Sequence, residues 1–256
     1  MLAPAEDFQK TVNSPKFFMN RTEACYLGPA IPMGPHSVSL ASLVFSLGAP
    51  FKLTLWGSKT DSVIDINDTY AFIPAKARHQ LICDDPVVIV FLDPAQINQE
   101  YFTAEDLSDL NTRIRQLTFP FTLIDLLRCL NLDNTKVTDA RILAVIGEMI
   151  QQPNVFKTIH DAAEFTSLSE PRFRSLFNQE LGVSFRQFRL WQRMMHVLRN
   201  LGKTRSLTQL ALESGFSSSS HFSTAFKNMF GISPHWVGKL AIQICIDETD
   251  FQIPKV

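Results

Sequence analysis

Two hydrophobic periods divide the chain. Phe51, Leu53 and Leu55 alternate with Lys52 and Thr54, Val63, Ile64 and Ile66 sit among Ser62, Asp65 and Asn67, and Val87 to Leu92 form a β-branched and aromatic run between Pro86 and Pro94. Such alternation and short apolar runs mark strands. With turn formers at Leu47-Gly48-Ala49-Pro50 and Gly57-Ser58, residues of about 20 to 95 predict an antiparallel sandwich or barrel. Further on the period lengthens. Leu123, Ile124, Leu126, Leu127 and Leu130, then Ile142, Leu143, Val145, Ile146, Met149 and Ile150, fall at the i, i+3, i+4, i+7 spacing of amphipathic helices. Their apolar stripes need cover, either from their own domain or from a second copy of the chain.

From about residue 151 the helix punctuation becomes dense. Ser184-x-x-Gln187 and Ser206-x-x-Gln209 have capping-box spacing, Ser233-Pro234 sets a cap before a first-turn proline, and Gly182, Gly202, Gly215 and Gly231 supply turns. The segment predicts six or seven short-linked helices. Within it Ser169, Phe173, Phe177, Gly182 and Ser184 return as Ser218, Phe222, Phe226, Gly231 and Ser233, each 49 residues later. Aromatics four apart share one helix face, and the preceding serine begins the helix. The opposite face carries Arg172, Arg174 and Ser175 in one copy and Ser219, Ser220, Ser223 and Thr224 in the other. An alanine one turn earlier (Ala162 or Ala163, and Ala211) lets a preceding helix approach. Each copy therefore predicts a helix-turn-helix, whose second helix enters the major groove. Phe185, Phe188, Trp191, Met195, Leu198 and Leu201 step by three and four, predicting one linking helix over 184–201. At 1.5 Å per residue it spans ~26 Å, which with its turns can hold two readers in successive grooves ~34 Å apart.

Charge reinforces this division. The 256 residues carry 24 Lys+Arg and 25 Asp+Glu, but residues 1–150 hold 12 against 17, whereas 151–240 hold 11 against 5. A basic block in a neutral chain suits a polyanion partner. The longest apolar run is too short for a membrane span, and no signal peptide is evident, so a cytoplasmic protein is expected. The four cysteines, Cys25, Cys83, Cys129 and Cys245, form no C-x-x-C pair, against a disulfide framework or zinc site.

The run from Ala211 through Gly215-Phe216, Phe222, Phe226-Lys227 and Gly231-Ile-Ser-Pro234, with Arg193 on the linking helix, resembles the signature of the AraC/XylS family of bacterial transcription regulators. The resemblance covers about residues 155 to 240. It implies two helix-turn-helix units reading double-stranded promoter DNA. Carried over by position, the DNA-contacting residues are Pro171, Arg172, Arg174 and Ser175 in the first recognition helix and Ser219, Ser220, Ser223 and Thr224 in the second. Val237-Gly238 stands where relatives usually have an aromatic and an arginine. The second reading face also lacks Arg, Gln and Asn, so Arg174, helped by Arg172, is expected to carry most direct readout. Arg186, Arg189 and Arg193 are expected to be solvated charges or internal ion-pair partners rather than phosphate contacts.

The strands resemble the single-cupin sensor domain that precedes this module. The expected fold is α+β with two domains: an N-terminal cupin-like β-barrel with following helices, and a C-terminal all-α domain with two helix-turn-helix motifs. The boundaries are 1–150 for a sensor and dimerisation domain, 151–245 for the DNA-binding domain and 246–256 for a tail. His36 and His79 are the only histidines placed to meet near the barrel mouth, and two do not make a catalytic metal site, so no metal, cofactor or catalytic residue is expected. A sequence-specific regulator responding to a small-molecule effector is the leading reading, with RNA polymerase and a homodimer as further partners. The alternatives are a cupin-type metal-dependent enzyme with an appended helical domain, and a barrel that only dimerises.

Overall fold

The computed structural model describes residues 15–19, 24–38, 40–57, 62–92, 103–117, 125–126, 129, 137–200, 206–235 and 243–246. It is α+β, with sheets from the first part of the chain and helices from the second. Strands β1 (Lys16–Met19), β2 (Ala24–Pro29), β4 (Ser42–Ser46), β7 (Tyr70–Ile73), β9 (Pro86–Phe91) and β10 (Gln243–Ile246) form a six-stranded sheet, ordered β10-β1-β2-β9-β4-β7. Strands β3 (His36–Ser37), β5 (Phe51–Trp56), β6 (Val63–Asp68) and β8 (Arg78–Ile82) form a second sheet, ordered β3-β8-β5-β6. The sheets pack through Val44, Ala71 and Ile73 of one and Phe51 and Leu53 of the other. Among the described residues they form two packed sheets, as in a sandwich, and no closed barrel is found. Among the described residues β6 pairs only with β5, and its Val63 and Ile64 lie exposed on that edge.

The six-stranded sheet is covered on both sides. Cys25, Leu27, Leu43, Phe45, Val88 and Val90 meet Leu107, Leu110 and Ile114 of helix α1 (Ala104–Arg115). The other face of β2 and β9 presents Ala24, Tyr26, Val87 and Phe91 to the C-terminal helices. All five residues of β4 are buried, which is why the period-two signal is absent there.

The helices are α2 (Ala140–Gln151), α3 (Ile159–Phe165), α4 (Glu170–Leu181), α5 (Phe185–Asn200), α6 (Leu207–Glu213) and α7 (Ser219–Phe230). The stripe Ile142, Val145, Ile146, Met149 and Ile150 of α2 is buried against Phe173, Leu176, Phe177, Phe185 and Phe188. Its cover comes from within the chain. The boundary expected at 150/151 thus falls at the end of a helix whose core is that of the C-terminal unit. The helix expected over 123–130 lies mostly outside the described residues, although Leu126 joins the core beneath α1. At the far end β10 runs parallel to β1, from Lys16↔Gln243 to Met19↔Ile246. It crosses the boundary expected at 245/246 and joins residues 243–246 to the first sheet.

Candidate nucleic-acid interface

Each helix-turn-helix is built from local chemistry. In the first, the Thr166 hydroxyl donates to Ala162 O and Ala163 O, both at 3.0 Å, closing α3, and Ser167 turns the chain at φ 55°. In the second, Gly215 makes the turn at φ 86°. The backbone bonds Leu168 N to Ala163 O and Phe216 N to Ala211 O are equivalent. They identify Ala163, not Ala162, as the partner of Ala211. The turns therefore align 48 residues apart, whereas the caps Ser169 and Ser218 and the left-handed glycines Gly182 and Gly231 align 49 apart. The second turn holds one more residue before its recognition helix. The Ser218 hydroxyl accepts from His221 N at 3.0 Å, while Ser169 makes no side-chain cap.

α5 is the spine both units share. Ser184 and Gln187 form the expected capping box, with Gln187 N donating to Ser184 Oγ at 3.3 Å and Ser184 N donating to Gln187 Oε1 at 3.1 Å. The N-terminal half of α5 contributes Phe185 and Phe188 to the core of the first unit, and the C-terminal half contributes Trp191, Met194, Met195, Val197 and Leu198 to the second. Its sixteen residues match the expected linking helix to within a residue at each end. Ser206 caps α6, but Gln209 turns away to Glu213 at 3.2 Å, so only half of that box forms.

Phe173 and Phe177 of α4, and Phe222 and Phe226 of α7, are buried. On the opposite faces Pro171, Arg172, Arg174, Ser175, Ser220 and Thr224 are exposed, and Ser219 and Ser223 half-exposed. Pro171, Arg174, Ser175 and Asn178 line an open groove along α4. Arg172 and Arg174 make no ion pair or hydrogen bond among the described residues, leaving both guanidinium groups available for phosphate or base edges. His221, which sequence reasoning passed over, lies exposed on the first turn of α7 with Nδ1 3.0 Å from Ser217 Oγ. Its spacing from Phe222 and Thr224 was the available signal.

Two of the three linking-helix arginines differ from expectation. Arg186 is exposed. Arg189 donates to the carbonyls of Lys157 and Phe156, and Arg193 donates to Gly215 O at 3.0 Å. These two serve as anchors for main-chain carbonyls, half-buried and in no ion pair among the described residues. Arg193 fastens the spine to the turn of the second unit, where Asn154 also donates to Glu213 O at 2.6 Å.

A family model described as a helix-turn-helix domain matches residues 162–238. The invasion protein InvF of Salmonella typhi is 31% identical over 91 residues, 35% of this chain and 42% of InvF. The melibiose operon regulatory protein of Escherichia coli (strain K12) is 33% identical over 105 residues, covering 41% of this chain and 34% of that protein. The helix-turn-helix domain belongs to the AraC/XylS family. The match spans less than half the length of InvF and of the melibiose regulator. The probable transcriptional regulator LumQ of Photobacterium leiognathi is 25% identical over 187 residues, 67% of this chain and 75% of LumQ, so likeness extends beyond the AraC-type domain. A solved structure of ToxT from Vibrio cholerae superposes with a TM-score of 0.52 at 12% identity, over 86% of this chain and 98% of ToxT. That likeness is one of fold, and it takes in the sheets as well as the helices.

A cavity of about 80 Å³ lies where the sheets meet the AraC-type domain. Its walls include Phe17, Tyr26, Ile89 and Phe91 from the first sheet, His36 and His79 from the second, and Leu198, Phe226 and Phe230 from α5 and α7. Phe230 lies edge-on to Phe17 at 5.5 Å and to Phe91 at 5.2 Å. Gly231, ending α7, packs so closely on His36 that a Cβ there would lie 2.7 Å from Nε2. The back of the second recognition helix is thus one wall of the cavity. Sequence reasoning brought His36 and His79 together but not the cavity, because its other walls come from many separate segments. Among the described residues no group of three or more His, Cys, Asp or Glu is placed to hold a metal ion.

Proposed function

We propose that the chain is a sequence-specific DNA-binding transcriptional regulator whose N-terminal part senses a small molecule. The observation that carries this reading is a pair of helix-turn-helix units on one spine, with apolar recognition-helix faces buried and Arg172 and Arg174 exposed and unpaired among the described residues. In this reading Pro171, Arg172, Arg174 and Ser175 contact one major groove. Ser219, Ser220, Ser223 and Thr224 contact the next, the serines through phosphate and water because short hydroxyls form no bidentate pair with a base.

The sheets act as a cupin-like sensor, and the helices from α2 to the end of α7 act as the DNA-binding part. An effector in the cavity shifts the balance between arrangements of α7 by its difference in affinity for them. Relatives named as regulators, and the absence of a helix long and apolar enough to cross a membrane among the described residues, support a non-catalytic role in the cytoplasm beside the DNA. RNA polymerase and a second copy of the chain are the protein partners such a regulator would use. Genome-wide mapping of DNA captured by the purified chain at fixed salt tests the reading. Enrichment of one motif in promoter regions supports it, and uniform capture independent of sequence overturns it.

A further inference from the structure

The cavity is almost wholly apolar, yet two imidazoles open onto it. His36 and His79 are cross-strand neighbours on β3 and β8, with ring centroids 4.4 Å apart and planes at 56°. His36 Nδ1 lies 3.0 Å from Gly34 O, and His79 Nδ1 lies 2.9 Å from Ala77 O. A carbonyl oxygen only accepts, so each Nδ1 carries a proton, and a ring in its neutral form presents a bare Nε2 lone pair. Neither Nε2 has a hydrogen-bond partner among the described residues. His79 is 5% exposed, and burial, with His36 beside it, holds its pKa below the ordinary imidazole value.

The surroundings limit what these acceptors can receive. Among the described residues no Lys, Arg, Asp or Glu lines the cavity. Arg78, next along β8, sits over the Trp56 ring at 5.4 Å. The Tyr26 hydroxyl donates to Pro29 O at 2.7 Å and is already engaged. A carboxylate or phosphate entering here would lose its hydration without meeting a cation. A hydrocarbon would leave both Nε2 acceptors without a partner. We propose that the cavity binds a small uncharged molecule, mostly apolar and bearing one hydroxyl, an alcohol or a phenol, whose O–H donates to an Nε2 atom of the His36–His79 pair. This rests on the reading of the cavity as an effector site and supplies its chemistry. Apolar cavities of ~150 Å³ take benzene. At about 80 Å³ this one must widen for a ring, and the side chains that give way include Phe226 and Phe230 on the back of α7.

The test is calorimetric titration of the full chain, without DNA, using phenol, toluene and benzoate at pH 7.5. Phenol is expected to bind at least about fivefold more tightly than toluene, the worth of one hydrogen bond, and benzoate least. In ¹⁵N spectra the His36 and His79 Nε2 resonances move with phenol and stay in place with toluene. His79→Phe removes the preference for phenol; should that variant not fold, the wild-type spectra decide. Toluene binding as tightly as phenol, benzoate binding best, no uptake of phenol, or unmoved Nε2 resonances overturns the proposal. DNA binding is then measured with and without phenol. Phenol uptake that leaves DNA affinity unchanged overturns the effector reading and upholds the ligand class. Sequence-specific DNA binding by a chain that takes up no phenol overturns the ligand class alone.

Discussion

Replacing Gly215 by alanine tests how the two reading units are held together. The backbone there is at φ 86°, and a Cβ would lie 2.1 Å from Asn154 Oδ1 and 2.9 Å from Arg193 Cζ. The left-handed conformation alone costs a non-glycine residue about 1 kcal/mol. Relieving the overlap displaces both neighbours, breaking the hydrogen bonds Asn154 makes to Glu213 O and Arg193 makes to Gly215 O. Those losses add about 2–3 kcal/mol, the charged donor taking the larger share. The total of about 3–4 kcal/mol corresponds to a fall of about 10 °C in Tm for a chain of this size. Two other glycines provide the scale. Gly182 is at φ 68° with open space around it, so Gly182→Ala should lose only the backbone term. Gly34 has neither a left-handed backbone nor a neighbour within 4 Å, and Gly34→Ala should change Tm little. Thermal unfolding of the three variants, followed by circular dichroism, decides the matter. Gly215→Ala losing no more than Gly182→Ala would refute the clamp at the second turn.

Three further outcomes are expected. Arg174→Ala should lower affinity by about 1–3 kcal/mol and relax preference at one base position, read by selection from a random-site library; an unchanged motif would remove Arg174 from direct readout. Phe230→Ala deletes a buried ring packed on Phe17, Phe91 and Phe226, and should cost about 3–5 kcal/mol in urea unfolding; a loss below about 1 kcal/mol would show that this interface does not stabilise the fold. His79 and His196 both have pKa values lowered, chiefly by burial. The unfolded chain therefore binds more protons than the folded one just below the ordinary histidine value, so stability should decline as pH falls through about 6.5 and level off once the folded-state groups protonate. Unfolding free energies from pH 8 to pH 5 check this, and a flat profile would contradict the burial of both rings.

The recognition units were legible because the signal is local. Phenylalanines four apart, a serine before them and a glycine after them specify a helix, its buried face and both its ends within fourteen residues. The same locality made Arg172 and Arg174 stand out as exposed cations. Local spacing could not show that the turns align 48 residues apart, since that offset lies in backbone hydrogen bonds around Ser167 and Gly215. Nor could it show Arg189 and Arg193 reaching carbonyls distant in sequence. In the first half, β5 alternates and was readable, whereas β4 is buried on both faces and carries no alternation. β10 meets β1 across almost the whole chain. His36 and His79 could be named from the sequence, but their stacking, and the cavity that Phe226 and Phe230 close over them, depend on long-range packing.

Hydroxyl-radical footprinting of the purified chain on its selected site tests the central claim most directly. Two protected patches on one face of the duplex, about one helical turn apart, are expected, with Arg174→Ala weakening one patch more than the other. A single patch, or protection that does not depend on sequence, would contradict the assignment of α4 and α7 as paired readers.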